Sequence, residues 1–280
     1  MIDLHTHSTA SDGSLTPEGL VMLGKELGGE ALALTDHDTV EGLEAALMAG
    51  EKWAFEVVPG LEISAQYAKG TMHILGYFMD HQNPLLAGKL KTLQEARARR
   101  NPEIVRKLNA LGCAVTMEDV KAASGDGQIG RPHIAMALKK KRYVKSLEEA
   151  FQRFLKKGGA AYVEKFRFSP EEAIQMIQAA KGIAVLAHPF TLNLTTTEDL
   201  KKLLISLKAE GLKGLEVYYS EHSAEQTKIF ASLAGKLDLL MTRGTDFHGQ
   251  NKESVHLFKG FGNIQIPYTI LETLKAARPQ

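Results

Sequence analysis

Residues 1–13 read MIDLHTHSTASDG: an apolar strand start ends in His5 and His7, then enters a glycine-containing turn that carries Asp12. Alternation sends residues i and i+2 of a strand to the same side, so both imidazoles face one point in space. A His pair at a strand end is often only a hydrogen-bonded surface feature. It becomes a metal site if the rest of the chain supplies partners for it.

The chain has 280 residues, 44% of them hydrophobic, and no apolar run near the ~20 residues that a membrane span requires. It is expected to be a soluble globular protein with a large core. The first strand begins at residue 2, which leaves no room for a charged-then-apolar export signal. The single cysteine, Cys113, excludes an internal disulfide and argues against thiolate ligation, in keeping with a reducing cytoplasm. A metal here would be held by nitrogen and oxygen.

Short β-rich runs alternate with helical patterns. After "IDLH" comes a helix with Thr16 as N-cap, Pro17 in its first turn, Leu20, Leu23 and Leu27 on one face, and Gly28-Gly29 as its stop. "ALALTDHD" reads as a second strand and "EGLEAALMAG" as a second helix, followed by strands at "FEVVPGLEIS" and "TMHILGYF". Later, Ser169 and Glu172 form a capping box ahead of a helix that leads into "GIAVLAHP". "LKGLEVYYS", a helix opened by Ser223, and "LLMTRGTDFHG" complete seven strands. Such alternation argues for a parallel sheet covered by helices, either open and doubly wound or closed as a barrel. No glycine-rich phosphate loop follows any strand.

The polar residues decide between these architectures. His5 and His7 end strand one, His37 ends strand two, Glu62 strand three, His188 strand five, and Asp246 and His248 strand seven, while His73 lies in strand four. Six of the seven strands therefore deliver a histidine or carboxylate at or near the C-terminal end, the rim on which α/β barrels build chemistry.

"DLHTHSTASDGSLTP", "LALTDHDTVEG", "GLEIS", "HILGYF", "LAHP" and "GTDFHG", taken in order, resemble the motifs of the polymerase and histidinol phosphatase (PHP) family over nearly the whole chain. The resemblance is greatest to its nucleoside 3′,5′-bisphosphate phosphatases and 5′-to-3′ exoribonucleases. It implies a distorted seven-stranded (β/α)7 barrel with up to three metal ions. By the same resemblance, one ion takes His5, His7, Glu62 and Asp246; a second shares Glu62 with His73 and His188; a third takes Asp12, His37 and His248. Nine ligands are too many for one or two ions, and imidazole with carboxylate suits Mn²⁺, Fe²⁺ or Zn²⁺. Glu62, Asp246 and His188 are the residues expected to carry the chemistry. Asp36 is read as orienting a ligand and Asp38 as helping to start the next helix, whereas His81, His256 and Trp53 are read as ordinary surface or packing residues.

Residues 83–168 read as a helical insertion, with Pro102 marking a break, between barrel segments 1–82 and 169–280. Residues 88–168 hold 19 Lys plus Arg against 8 Asp plus Glu, whereas the remainder holds 15 against 25. A basic lid over a metal-rich rim makes a funnel for polyanions. Within it "IGRPHIA" offers Arg131 as a planar fork for phosphate and His133 as a second donor. The competing account is an Arg bonded to helix-end carbonyls and a capping His. His222, at the rim after strand six, is a further candidate phosphate contact.

These parts point to a metal-dependent phosphoesterase acting on a nucleotide or a short 5′-phosphorylated RNA by in-line attack of activated water. No membrane or protein partner is implied, and no Ser/His/Asp nucleophile arrangement is evident. A histidinol-phosphate-like monoesterase needs fewer cationic contacts than the lid provides. A non-catalytic nucleic-acid-binding or regulatory protein would not need the complete ligand set.

Overall fold

Local chemistry starts the helices where the sequence places them. Thr16 accepts from the Gly19 amide at 3.0 Å with Pro17 behind it, and Ser169–Glu172 and Ser223–Gln226 form reciprocal capping boxes. The computed structural model describes residues 1–124, 127–262, 264 and 268–279. Its elements in the first half of the chain are β1 (Ile2–Thr6), α1 (Pro17–Glu26), β2 (Ala31–Leu34), α2 (Leu43–Trp53), β3 (Glu56–Ala65) and β4 (Met72–Tyr77). The insertion comprises α3 (Pro84–Ala110), α4 (Met117–Ser124), α5 (Arg131–Lys140) and α6 (Leu147–Ala150), the last running into a π-helical turn at Phe151–Leu155. The barrel resumes with α7 (Pro170–Ala179), β5 (Ile183–Leu186), α8 (Thr197–Ala209), β6 (Gly214–Tyr219), α9 (Ala224–Lys236), β7 (Leu240–Gly244) and α10 (Thr269–Ala276).

The seven strands lie side by side in chain order. Their two edges meet beyond the last strand. Thr6 bridges to Phe247, the His7 amide donates to the Phe247 carbonyl at 2.9 Å, and the Asp246 amide donates to the His5 carbonyl at 2.9 Å. The sheet thus closes into the expected distorted barrel.

Its distortion lies in β4, which is antiparallel to both β3 and β5 while the other pairs are parallel. Only residues 66–71 separate β3 from β4, too few for the dozen or so that a parallel crossover needs, so the chain turns back as a hairpin. His73 consequently sits near the start of its strand, not near its end. The reversal is what brings it to the common rim, opposite Ser64 and two places from Glu62.

Both faces of the sheet are covered. In β2, Ala31 and Ala33 pack with Ile2, Leu4, Val185 and, from α10, Leu271 and Leu274, whereas Leu32 and Leu34 face the layer that holds Leu20, Leu43 and Ala46. Alternate residues of one strand thus serve two apolar layers, which explains the nearly continuous hydrophobic runs in the sequence.

The insertion has a core of its own, built from Ile104, Leu108, Val120, Ile134, Leu138 and Leu155 among others. Helix α3 joins the two cores: Leu86, Leu90 and Leu93 pack with the barrel, Ile104 and Leu108 with the insertion. The expected break at Pro102 does not occur, and α3 continues through it. Proline removes one amide donor, but burial of Leu93 and Ala96 before it and of Ile104 and Val105 after it holds the helix together. Residues 156–168 are irregular instead of helical and lead the chain back to the rim.

Candidate metal centre

Glu62 is fully buried near the end of β3, and its two carboxylate oxygens face different groups of histidines. Oε1 lies 2.7 Å from His73 Nδ1 and 3.0 Å from His188 Nε2. Oε2 lies 3.3 Å from His5 Nε2, 3.4 Å from His7 Nε2 and 2.9 Å from His37 Nδ1. Asp246 Oδ1 stands 3.0 Å from His7 Nε2 and 3.5 Å from His5 Nε2, which closes a set of His5, His7, Glu62 and Asp246. A second compact set joins His7, Asp12, His37 and His248, with Asp12 Oδ1 3.2 Å from His248 Nε2, and a third joins His37, Glu62 and His73.

All nine residues implied by the family resemblance therefore converge. Two details differ from that partition. His188 reaches Glu62 without joining the tightest set, and His37 faces Glu62 as well as Asp12. His7 points one nitrogen at each of two sets. Burial and the neighbouring His248 and His37 press its pKa down to about 3. A neutral imidazole offers a single lone pair, so His7 serves one set.

The donor chemistry fits cations. His5 Nε2, both nitrogens of His7, His37 Nδ1 and Glu62 Oε2 are buried without a hydrogen-bond partner, a concentration that native interiors do not leave unexplained. Burial would raise Glu62, but His37, His73 and His5 outweigh it and hold the carboxyl well below its ordinary range. Burial would lower His37, but Glu62 and Asp12 raise it to about 9. The carboxylates demand positive charge in a space too dry to borrow it from water, and divalent ions supply that charge directly. His188 and Asp246 have backbone φ of +21° and +57°, unusual for side-chain-bearing residues and concentrated where strain serves a site.

The PHP domain model matches residues 3–260. The chain belongs to the PHP domain family. It is 36% identical to a 5′-3′ exoribonuclease of Haemophilus influenzae over 88% of this chain and 89% of the relative. It is 34% identical to a 3′,5′-nucleoside bisphosphate phosphatase of Chromobacterium violaceum, over 88% and 87%. A solved structure from Bifidobacterium adolescentis, assigned to the metal-dependent phosphoesterases, covers all of this chain and 96% of its own at 29% identity, with a TM-score of 0.89.

Around these nine residues of the PHP domain stand others that no motif marks. Glu216 on β6 is fully buried; its Oε1 is 3.0 Å from His5 Nδ1, and its Oε2 accepts the His188 amide at 2.8 Å. Tyr219 Oη and Lys252 Nζ both donate to Asp246 Oδ2, at 2.7 and 3.1 Å, which leaves Oδ1 toward the histidines. Gly244 lets β7 approach closely, since a Cβ there would lie 2.0 Å from that of His5. An acidic residue in the otherwise apolar strand "GLEVYY" was the available signal for Glu216.

Asp36 accepts from Ser8 and Ser11 and so braces the loop that carries Asp12, acting on that residue through the backbone. Asp38 does not start a helix. It is fully buried with φ +54°, accepts from the Ser64 amide at 2.7 Å, and takes Arg97 at 2.5 Å and Lys165 at 2.9 Å on one oxygen. Two cations of the insertion are thereby tied beside His37. Burial would raise the Asp38 carboxyl, but Lys165 and Arg97 outweigh it and hold it far below its usual value.

Between insertion and barrel lies a cavity of about 1120 Å³ whose lining includes Asp12, His37 and His73 together with Arg97, Arg100, Arg131, Lys165 and Arg167. Of the three residues expected to bind substrate, Arg131 lines this cavity and His133 and His222 do not. His133 Nδ1 accepts the Gly130 amide at 2.9 Å and thus caps α5, and Arg131 Nη1 donates to the Leu155 carbonyl at 3.0 Å, as in the competing account. His222 is buried among Phe190, Tyr219 and Phe230 with Nδ1 2.9 Å from the Val217 carbonyl. His81 pairs with Glu44, His256 is exposed, and Trp53 packs against the core.

Proposed function

We propose that this PHP domain is a metal-dependent phosphoesterase that removes the 3′-phosphate of nucleoside 3′,5′-bisphosphates and cleaves the first linkage of short 5′-phosphorylated RNA. The observation that carries the reading is one shared space: the cavity lined by Asp12, His37 and His73 of the histidine and carboxylate cluster is also lined by cations of the insertion. Two or three divalent ions, Mn²⁺, Fe²⁺ or Zn²⁺, would be held by His5, His7, Glu62 and Asp246, by Glu62, His73 and His188, and by Asp12, His37 and His248. Such ions, when bound, supply Lewis-acid charge to the phosphoryl oxygens and make water a stronger nucleophile near neutral pH.

The chain's own residues set the geometry. Glu62 presents one oxygen to each histidine group, Glu216 orients His5, and Tyr219 with Lys252 fixes Asp246. The insertion, residues 83–168, acts as a basic lid whose cations hold a second phosphate away from the reacting one, so that the substrate spans the cavity. A cavity of about 1120 Å³ has room for a nucleotide with two phosphates, more than a small monoester needs. The two relatives' names fit the same substrate geometry. A cytoplasmic location completes the reading, and among the described residues no helix is long and apolar enough to cross a membrane.

Product identification tests it. Phosphorus NMR of a digest of adenosine 3′,5′-bisphosphate should show release of inorganic phosphate and the 5′-monophosphate. Accumulation of the 3′-monophosphate would overturn the assignment of the reacting group.

A further inference from the structure

Among the contacts that the insertion makes with the barrel, two lie beside residues of one compact set. The first is backbone on backbone. The Gln128 amide donates to the Ala10 carbonyl at 3.0 Å, and a Cβ on Gly127 would stand 1.7 Å from the Thr9 carbonyl oxygen, an approach open only to glycine. Thr9 and Ala10 lie in the tight turn that presents Asp12, in which the Ser11 and Gly13 amides both donate to the Ser8 carbonyl. The second contact is ionic. Arg97 and Lys165 meet on Asp38, the residue after His37, at 2.5 and 2.9 Å. Asp12 and His37 belong to the set that His7 and His248 complete. Elsewhere in the cluster the support is different: among the described residues, the hydrogen bonds of Thr6, Thr245 and Phe247, which flank His5 and Asp246, come from the barrel.

The backbone contact is not self-sufficient. Gln128 Nε2 and Oε1 are buried without a partner among the described residues, and an unmet buried amide works against the seat. The seat therefore depends on the turn keeping the shape that offers the Thr9 and Ala10 carbonyls to the insertion. The same shape puts Asp12 Oδ1 3.2 Å from His248 Nε2, and Asn251 holds it from the barrel side by donating to the Asp12 carbonyl at 2.9 Å. A cation drawn to Asp12, His37 and His248 requires this turn, and so does a seated insertion. Two events that require one conformation favour each other by the same factor.

We propose that the insertion and the Asp12–His37–His248 set are reciprocally coupled: the seated insertion raises the affinity of that set for a divalent cation, and the cation holds the insertion closed over the cavity. The inference rests on the metal reading above and adds a gate to it. The lid residues that line the cavity are in place when the centre is loaded, so substrate is gripped where it can react. Gly127 and Asp38 are positioning residues in this scheme, acting on Asp12 and His37 through the adjoining backbone.

The test uses the full chain with Mn²⁺ as the probe. Wild type, Gly127→Ala and Asp12→Ala are titrated with Mn²⁺ against a competing chelator, and hydrogen exchange is followed by mass spectrometry in the peptide spanning residues 127–134. Asp12→Ala should lose one equivalent, which identifies the coupled cation. Gly127→Ala should bind that equivalent about 5- to 150-fold more weakly and the others as wild type does. Mn²⁺ should slow exchange in the peptide by a similar factor in wild type and leave it unchanged in Asp12→Ala. Wild-type affinity for every equivalent in Gly127→Ala would overturn the coupling, as would a full complement of metal in Asp12→Ala or wild-type exchange that ignores Mn²⁺. A uniform loss of affinity with a lowered Tm would also overturn it, by making Gly127 a residue of general stability. If the wild type binds Mn²⁺ but leaves bisphosphates intact, the functional reading fails and the coupling is still decided; if it binds none, both fall.

Discussion

Glu216→Gln changes one atom in a buried carboxylate and separates orientation of the ligands from ligation itself. Glu216 accepts twice, from His5 Nδ1 at 3.0 Å and from the His188 amide at 2.8 Å. Accepting from Nδ1–H leaves the Nε2 lone pair of His5 free to face Glu62 and Asp246. Glutamine has one acceptor and one donor in the same volume, so each orientation fails at one end. With its oxygen toward His5, the NH₂ group meets the His188 N–H; with its nitrogen toward His5, the imidazole must put its proton on Nε2, where a metal needs the lone pair. Either way a hydrogen bond to a charged acceptor is lost in a fully buried place, worth about 1.5–3 kcal/mol. In metal affinity that is roughly 10- to 150-fold, within the range found when a partner that orients a metal ligand is removed. Competition with a chromophoric chelator measures it, and elemental analysis gives the stoichiometry. Metal affinity equal to wild type, with the variant folded, would refute the orienting role and with it the assignment of His5 Nε2 as a ligand atom.

Other tests reach the cluster and the lid by different routes. Glu62→Ala should lower the bound-metal count by at least one and abolish nearly all phosphate release; full activity of the exhaustively chelated wild type would sink the metal reading. Chelation should lower Tm, because ions that bind only the folded state stabilise it by about 4 kcal/mol at a thousand times Kd, and scanning calorimetry with and without chelator checks this. Asp38→Asn should destabilise by about 3–5 kcal/mol, since it strips the shared counter-charge from two buried cations; a Tm within a degree of wild type would contradict the buried latch. The Asp38 carboxyl has a folded pKa below its unfolded value, so its stabilisation is complete above about pH 4 and lost as pH falls further. Urea melts between pH 5 and pH 3 should therefore show a shallower acid limb in Asp38→Asn than in wild type.

The family resemblance supplied the nine residues of the cluster as a set, and the sequence by itself determined the seven strands and the starts of several helices. These rest on local rules: alternation places His5 and His7 together, side-chain caps start helices at Thr16, Ser169 and Ser223, and strand ends share a rim. Only the tertiary structure decided what depends on distance through space. The reversal of β4 follows from a short link, but its effect, bringing His73 to Glu62 from the start of a strand, required the closed sheet. The local cost of the lost donor at Pro102 predicts a break, and the two cores that α3 joins outweigh it. His133 and His222 carry chemistry suited to phosphate, but His133 Nδ1 caps α5 and His222 is enclosed by aromatic rings with its Nδ1 beside the Val217 carbonyl. Glu216, Asp38 and Arg100 gave no motif to read. Their roles are set by what lies opposite them: an imidazole 211 residues away along the chain, two cations from the insertion, and the neutral amide oxygen of Asn101. Local propensity is written into neighbouring residues, whereas the compensation of a buried charge is a property of the folded surroundings alone.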